Sequence, residues 1–309
     1  MALHVIQANR DSINLVDFFR AEVRDFPSLL LEHGAILFRG FHVRSTADYQ
    51  AVIEALGEAP MDYTYRSTPR TDLGKAVFTA TEYPARLEIP LHCENSYQRD
   101  WPLWISLCCL TPAARGGQTP IANMRDVTSA IPPSVVERFA TRGVKYVRHY
   151  RPAADLAWQN VFGTGDRAAL ARFCEEHGIQ HEWLDGDILR TEQVCQGVAQ
   201  HPLTKTTIFF NQAHLFHISS LAPAAAANMI EFFGQDRLPR NAYYGDGTEI
   251  GAEDLEHVRR AFNSNALDLA WQTGDVVVLD NMQYAHGRRS FSGERRVLAS
   301  LLKPYNSNE

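Results

Sequence analysis

The segment Leu91–Tyr97 constrains this chain more than any other, because it places a histidine and a carboxylate two residues apart. Side chains of an extended strand alternate between its two faces with a period of two residues, so His92 and Glu94 are expected to share one face. An imidazole nitrogen and a carboxylate oxygen placed in this way lie within reach of a single metal ion. Cys93, between them, is expected to face the other side of the strand and to belong to the core.

The composition narrows the class of protein. The chain has 309 residues, of which 45% are hydrophobic and 21% charged, and its formal net charge is −6. This charge offers no basic surface to nucleic acid or to an anionic membrane, and no apolar run approaches the length of a membrane span. The five cysteines include no CxxC pair, which argues against a disulfide framework and against a zinc ribbon. We therefore expect a cytoplasmic protein that has neither nucleic acid nor a membrane as its partner.

Hydrophobic periodicity predicts helices early in the chain and strands throughout it. The predicted helices follow Pro27, follow Ser45 or Thr46, and cover 222–233 and 254–262. The predicted strands cover 35–40, 76–80, 104–110, 206–211, 275–280 and 296–302, and the apolar run that ends at Leu110 is typical of a strand buried on both faces. We interpret the chain as one α+β domain over 1–309, built around a β-sandwich or barrel, with a lid-like insertion at about 123–205.

A third candidate metal ligand, His286, lies far downstream. Two histidines and one carboxylate form the facial triad of non-heme Fe(II) oxygenases, which leaves coordination positions open for other ligands. His214 and His217, three residues apart, are an alternative pair that one helical turn could present together. They lack the trailing arginines that follow His286, so we favour His286 as the third ligand.

The trailing arginines belong to the segment Gly293–Arg296, at the mouth of a predicted strand. A guanidinium group binds a carboxylate through two parallel hydrogen bonds, so an arginine here could hold the distal carboxylate of a keto acid, with Thr119 sharing it. Neighbours on a strand face opposite sides, and spacing alone does not decide between Arg295 and Arg296. The structural alternatives are a surface salt bridge for Arg296 and a plain β-forming role for Thr119.

The loop before Leu91 contains further candidates to line a pocket beside the metal. Tyr65, Arg66 and Arg70 belong to this polar and irregular stretch, where loops often carry binding groups. The alternative is that they are ordinary surface residues.

These motifs occur in an order that resembles the taurine dioxygenase-like family of Fe(II)/2-oxoglutarate-dependent oxygenases. The similarity is greatest to the branch with the syringomycin-pathway aspartyl hydroxylase and the clavaminate synthase-like enzymes. The matching segments are AILFRGF, STPRT, TEYPARLEIPLHCENSY, TPAARGGQTPIAN, FFNQAHLFH, PRNAYYGDGTEI and WQTGDVVVLDNMQYAHGRRSFSGERR. They run from residue 35 to residue 296, with 123–205 poorly covered. The resemblance implies a double-stranded β-helix (jelly roll) core with helical insertions.

The resemblance also implies roles for individual residues. Those that match the metal ligands are His92, Glu94 and His286. Thr119 and Arg296 match residues that bind 2-oxoglutarate in the family, and this match favours Arg296 over Arg295. The positions expected to contact substrate, or to support the site, are Asn95, Gln212 and His214.

The implied reaction is hydroxylation of an unactivated C–H bond, with Fe(II) as cofactor, 2-oxoglutarate and dioxygen as co-substrates, and release of succinate and CO2. Halogenases of the superfamily have Ala or Gly in place of the triad carboxylate, so Glu94 favours hydroxylation over halogenation. The branch suggests attack at the β-carbon of an amino acid, free or tethered to a carrier protein, in natural-product biosynthesis. Desaturation or cyclisation of a free small molecule is the alternative outcome.

Two other classes of protein use the same residues differently. A zinc hydrolase could use the triad but would have no need for Thr119 and Arg296. A non-catalytic binding protein on this scaffold would be expected to have a damaged triad.

A basic cluster could meet an acidic carrier protein, although an ordinary solvated face is the alternative. Its members are Arg142, Lys145, Arg148 and Arg151.

Overall fold

A pair of facing β-sheets forms the centre of the protein. The computed structural model describes residues 3–9, 13–23, 25–61, 64–65, 67–151 and 156–307. Within these ranges the α-helices are α1 (Leu15–Glu22), α2 (Phe26–His33), α3 (Thr46–Leu56), α4 (Met124–Ala130), α5 (Pro133–Arg142), α6 (Trp158–Phe162), α7 (Arg167–Glu176), α8 (Ala213–Phe216), α9 (Pro223–Phe233) and α10 (Ala252–Ser264). The strands are β1 (His4–Gln7), β2 (Ala35–Arg39), β3 (Phe78–Thr79), β4 (Ile89–His92), β5 (Asp100–Thr111), β6 (Arg115–Gly116), β7 (Thr119–Asn123), β8 (Val144–Tyr150), β9 (Gln180–Leu184), β10 (Ile188–Cys195), β11 (Val198–Gln200), β12 (Thr207–Phe209), β13 (Arg240–Tyr244), β14 (Leu267–Leu269), β15 (Val276–Asp280), β16 (Tyr284–Arg288), β17 (Phe291–Ser292) and β18 (Arg296–Asn306).

The strands form two principal sheets whose order requires long crossovers. The larger sheet has the order β1-β2-β15-β5-β18-β3, and the smaller one has the order β14-β7-β16-β4. Strands β1 and β2 are parallel, whereas the other pairings of both sheets are antiparallel. This arrangement confirms the predicted α+β class and the jelly-roll core.

The two faces of the larger sheet have separate cores because side chains alternate along each strand. Along β5, Leu107 and Cys109 pack between the two sheets, whereas Cys108 and Leu110 pack against the helical side. The same alternation along β18 sends Val297 between the sheets. Both faces of the predicted apolar strand are therefore buried, and each fully buried aliphatic side chain contributes roughly 1.5–3 kcal/mol.

Local signals account for the helices that cover the larger sheet. Helix α2 has Asp25 as its N-cap, whose carboxylate accepts a hydrogen bond from the Ser28 amide at 3.1 Å, and it ends at Gly34 with φ +71°. Helix α3 begins with a capping box between Ser45 and Asp48. The helices predicted after Pro27, after Ser45, over 222–233 and over 254–262 are confirmed as α2, α3, α9 and α10.

Residues 123–205 contribute helices α4 to α7 and strands β8 to β11. Three of these strands join β13 in a third sheet with the order β13-β8-β10-β9. That this segment acts as a lid within a single domain stays a prediction. In the described ranges, no helix combines the length and the apolar character needed to cross a bilayer.

Candidate metal and co-substrate site

Two adjacent strands of the smaller sheet bring the candidate ligands together. Strands β4 and β16 are antiparallel neighbours in which His286 lies opposite His92, and their ring centroids are 4.7 Å apart. Strand β4 ends at His92, so Glu94 lies in the following turn and not on the strand as predicted. The turn still directs the carboxylate to the histidines, because one ligand atom from each of the three residues lies within 4.8 Å of the others.

The protonation of this cluster suits a divalent metal ion. His92 Nδ1 lies 2.8 Å from the Pro90 carbonyl oxygen, and an N–H at this position leaves Nε2 as the lone-pair donor. Burial, followed by the nearby His92, lowers the pKa of His286 to about 3, so this ring is neutral at physiological pH. Burial alone would raise the pKa of Glu94, but Arg70 and the two histidines together lower it below its ordinary value. His92, a neutral His286 and an ionised Glu94 therefore converge, and together they are the donor set of a facial triad.

Gly287 allows the two ligand strands to approach closely. A Cβ atom built on Gly287 would lie 2.6 Å from the Ile89 carbonyl oxygen, a backbone atom that cannot rotate away. Any side chain at this position would separate β4 from β16. The glycine between His286 and Arg288 is therefore part of the geometry of the site.

An open pocket lies beside the cluster, with about 430 Å³ of space that is partly continuous with solvent. Its polar lining includes His92, Thr119, His286 and three arginines, and its apolar lining includes the sheet residues Leu107, Val297 and Ala299. Thr119 Oγ1 accepts a hydrogen bond from Trp271 Nε1 at 3.0 Å. Because an indole N–H can only donate, the hydroxyl proton of Thr119 is left to bind an acceptor such as a carboxylate.

Of the two adjacent arginines after His286, Arg295 and not Arg296 lines this cavity. Arg295 lines the cavity, and burial, with a smaller effect of Arg288, lowers its pKa to about 10, so it stays charged at neutral pH. Arg296 is exposed and donates to Thr46 Oγ1 at 3.0 Å, on the other side of the larger sheet. The structure places Arg295 in the cavity instead of the predicted Arg296, because residue 295, just before β18, lies on the same side as Val297.

Gly117 makes room for the Arg295 side chain. Gly117 has φ +73°, and a Cβ atom built there would lie 3.1 Å from Arg295 Cδ. Its carbonyl oxygen accepts a hydrogen bond from Arg295 Nε at 3.1 Å. A residue with a side chain would be strained here and would displace the guanidinium group.

A third arginine, Arg288, fixes a loop beside the cavity. Its guanidinium group donates to the carbonyl oxygens of Tyr83, Pro84 and Leu87 at 2.7–2.9 Å. The Ala85 carbonyl accepts a further bond from the backbone of Phe291 at 2.9 Å. The segment 83–87 is thereby attached to the strand that carries His286.

The side chain of Asn281 holds the backbone of Glu94 on both sides. Asn281 Oδ1 accepts from the Glu94 amide at 2.7 Å, and Asn281 Nδ2 donates to the Glu94 carbonyl at 2.9 Å and to the Pro102 carbonyl at 2.9 Å. Asn281 is fully buried and lies in the turn between β15 and β16. Sequence reasoning missed this residue, since an asparagine in a turn is more simply explained by the turn itself.

Gln212 and His214 support the same segment. Gln212 Nε2 donates to the Cys93 carbonyl at 2.8 Å, and His214 Nε2 lies 3.0 Å from the Leu91 carbonyl. Neither residue lines the cavity, and both bind the backbone beside the candidate ligands, which agrees with the predicted supporting role. A contact of these residues with substrate stays a prediction. Cys93 is buried, as predicted.

The remaining candidates fall into three groups. Asn95 is buried, with φ +57°, and neither polar atom of its carboxamide has a hydrogen-bond partner among the described residues. Its contact with substrate stays a prediction. Of the loop candidates, Arg70 lines the cavity, Tyr65 is buried outside its lining, and Arg66 lies outside the described residues. The alternative ligand His217 binds Ser219 Oγ through Nδ1 at 2.8 Å and takes no part in the cluster.

The predicted basic cluster is not a continuous exposed face. Arg142 pairs with Asp246 at 2.8 Å, and Arg148 is buried, with its guanidinium carbon 4.7 Å from the ring centroid of Tyr150. Arg142 and Arg148 therefore do not share one exposed face.

Known proteins with a similar sequence identify the family of this chain. The family described as "Taurine catabolism dioxygenase TauD, TfdA family" matches residues 2–302. The dapdiamide synthesis protein DdaC of Enterobacter agglomerans is 36% identical over 300 residues, which cover 97% of this chain and 91% of that protein. A clavaminate synthase-like protein of Arabidopsis thaliana is 32% identical over 287 residues, which cover 89% of this chain and 83% of that protein.

A solved structure shows that the fold is shared more widely. An asparagine oxygenase in complex with Fe(II), 2S,3S-3-hydroxyasparagine and succinate superposes with a TM-score of 0.54 at 14% identity, covering 93% of this chain and 77% of that one. The sequence relatives and the family match extend over nearly the whole chain, including both ligand strands. The chain therefore belongs to the TauD/TfdA family of dioxygenases.

Proposed function

We propose that this dioxygenase hydroxylates an amino-acid-like substrate at an unactivated carbon, with His92, Glu94 and His286 as the iron ligands. As a member of the family, the protein is an enzyme that uses Fe(II), 2-oxoglutarate and dioxygen. The observation that carries the proposal is the convergence of the three ligand atoms within 4.8 Å, at the edge of a cavity that also contains Thr119 and Arg295. When bound, the iron with its co-substrates supplies the oxidising power for C–H hydroxylation.

The protein's own residues bind and orient the co-substrate in this proposal. The Arg295 guanidinium group would bind the distal carboxylate of 2-oxoglutarate through a bidentate ion pair. The Thr119 hydroxyl, oriented by Trp271, would donate a hydrogen bond to the same carboxylate. The apolar side chains of Leu107, Val297 and Ala299 exclude water from the carbon chain between the two ends. A zinc hydrolase would leave Arg295 and Thr119 without a role.

An amino-acid-like substrate is supported by two named proteins. DdaC acts in dapdiamide synthesis, and the asparagine oxygenase contains a hydroxylated amino acid beside succinate. We propose oxidation at the β-carbon and favour a free amino acid or a small amide over a carrier-bound thioester, because Arg142 and Arg148 do not form a docking face.

Anaerobic addition of Fe(II) and 2-oxoglutarate tests the proposed site. We expect a weak visible charge-transfer band from the iron–co-substrate complex in the wild type and its loss in His92→Ala and His286→Ala. The variants must keep the far-UV circular dichroism of the wild type, which controls for unfolding. A folded wild-type protein without the band contradicts the proposal.

Turnover tests the substrate class. Succinate formation and a product 16 mass units heavier are measured for a panel of free amino acids, their amides and the matching aminoacyl carrier proteins. Efficient turnover of carrier-bound substrates alone contradicts the preference for free ones. A product two mass units lighter identifies desaturation or cyclisation in place of hydroxylation.

A further inference from the structure

A buried ion pair lies inside the proposed iron site. Arg70 Nη2 is 2.7 Å from Glu94 Oε2, and the two side chains are 5% and 7% exposed. Arg70 also lines the cavity. The loop before β3 thus places a permanent positive charge on a candidate metal ligand.

The charges around Glu94 explain why the pair forms. A buried carboxylate without a compensating charge is strongly unfavourable. Arg70 Nη2 lies 2.7 Å from Glu94 Oε2, whereas His286 Nε2 lies 3.6 Å from the same oxygen. Arg70 is the cationic group that the structure places in contact with the carboxylate.

The contact involves the oxygen atom that faces the other ligands. Glu94 Oε2, which accepts from Arg70, is also the atom that lies 3.6 Å from His286 Nε2. A divalent ion held by the triad would therefore bind close to this oxygen and close to the guanidinium group. Two positive groups at such a distance repel each other, and the repulsion is weakly screened in a buried site.

We propose that Arg70 is an exchangeable counter-ion of Glu94: it stabilises the carboxylate until a divalent metal ion binds, and it then becomes a positive charge directed at the anionic ligands of the cavity. This inference rests on the proposed metal site. It requires that Arg70 stabilise the metal-free protein and destabilise the complex with the metal ion. A purely orienting role would instead favour both states, because Glu94 would be held for the metal.

The two roles predict opposite results for Arg70→Gln. The free energy of unfolding is measured by urea denaturation, in chelator-treated protein and with Mn(II), which avoids oxidation. We expect Arg70→Gln to be less stable than the wild type without metal, and to gain more stability from Mn(II) than the wild type gains. The dissociation constant for Mn(II), measured by calorimetry, should decrease on the order of tenfold.

Arg39→Gln provides a matched control. Arg39 forms a comparable pair with the fully buried Asp275, at 2.6 Å, within the larger sheet and away from the triad. Its loss should lower stability while leaving the gain from Mn(II) at the wild-type value. Arg70→Lys keeps the charge without the planar fork and should show a gain close to that of the wild type.

The outcomes separate the possibilities. A gain from Mn(II) in Arg70→Gln that is equal to or smaller than the wild-type gain overturns the exchange and assigns Arg70 an orienting role. If Arg70→Gln folds only with Mn(II), the exchange is supported. If it does not fold at all, Arg70→Lys decides, and weaker Mn(II) binding by this variant overturns the exchange. If the wild type gains no stability from Mn(II), the proposed metal site itself is contradicted. The exchange, which depends on that site, is then contradicted as well.

Discussion

Adjacent arginines at the start of β18 have unrelated environments. Arg295 points between the two sheets and contacts the Gly117 carbonyl, while Arg296 lies on the outer side and contacts Thr46. One step along the chain therefore separates an arginine that lines the cavity from an arginine on the surface. The two environments can be tested separately, because a substitution at either arginine leaves the other arginine in place.

Arg295→Gln should weaken the binding of 2-oxoglutarate. A hydrogen bond to a charged group contributes about 1.5–3 kcal/mol, so the loss corresponds to a roughly 10- to 100-fold increase in the dissociation constant. Titration of the visible band with 2-oxoglutarate measures it, and Arg296→Gln is the control with an unchanged constant. A larger effect at Arg296 would restore the assignment made from the sequence.

The sequence could not decide between these two arginines for a physical reason. Alternation identifies the inner face of a strand only when the outer face is polar. Both faces of β18 are buried beyond Arg296, with Val297 in one core and Leu298 in the other. The hydrophobic pattern therefore carries no information about which arginine points inward.

At the level of elements, the turn between β15 and β16 connects the two halves of the metal site. Asn281 binds the backbone of Glu94, and its neighbour Asp280 accepts from the backbone amides of Met282 and Gln283 at 3.0–3.1 Å. The strand that follows this turn carries His286. The position of one ligand thus depends on the turn that leads to another.

Asn281→Ala should reduce the affinity for a metal ion. The reduction should be larger than the one caused by a general loss of stability. The variant loses three hydrogen bonds to buried carbonyl and amide groups, two of them to Glu94. Groups that orient metal ligands typically change affinity by roughly 10- to 100-fold, and we expect a decrease of this size for Mn(II) by calorimetry.

Asn241→Ala is the matched control for this prediction. Asn241 is also buried, accepts from the Ile218 amide and donates to the Tyr243 hydroxyl, both at 3.0 Å, and it does not contact the ligand segment. The control should lose stability and retain Mn(II) affinity. Equal affinities in the two variants would show that Asn281 has no specific role.

The regular elements were predictable, whereas the partners of the residues that support the site were not. Strands such as β2 and β15 follow from short apolar runs bounded by glycine, and their bounds agree with prediction to within one residue. The family resemblance offers Gln212 and His214 either as substrate contacts or as supports of the site, and it does not decide between the two roles. Their actual partners are backbone carbonyls more than a hundred positions away, and no local pattern encodes such contacts.

Across the whole molecule, buried neutral histidines make stability depend on pH. Burial lowers the pKa of His214 to about 3, and burial, followed by Arg259, lowers that of His217 to about 4. The ordinary value of 6.5 applies in the unfolded chain, so between these limits the unfolded state binds more protons than the folded state. Stability is therefore retained above about pH 6.5 and decreases as the pH falls toward 4.

Urea denaturation of chelator-treated protein between pH 7.5 and about 4.5 measures this dependence. Each such histidine should lower the free energy of unfolding by about 1.4 kcal/mol per pH unit below its unfolded pKa. His214→Gln keeps a donor for the Leu91 carbonyl and removes one titrating group, so its slope should be smaller. A variant with the slope of the wild type would contradict the assignment.

The grip of Arg288 on the loop 83–87 has a consequence for how such an enzyme can diverge. Arg288 binds main-chain oxygens of Tyr83, Pro84 and Leu87, and the side chains of Tyr83 and Leu87 are 43% and 39% exposed. Because every residue has a main-chain carbonyl oxygen, this attachment depends little on which side chains the loop carries. Mutations can accumulate in these side chains while the main-chain hydrogen bonds keep the loop attached to the strand that carries His286. Related enzymes could in this way change the side chains of this loop while the candidate metal ligands keep their positions.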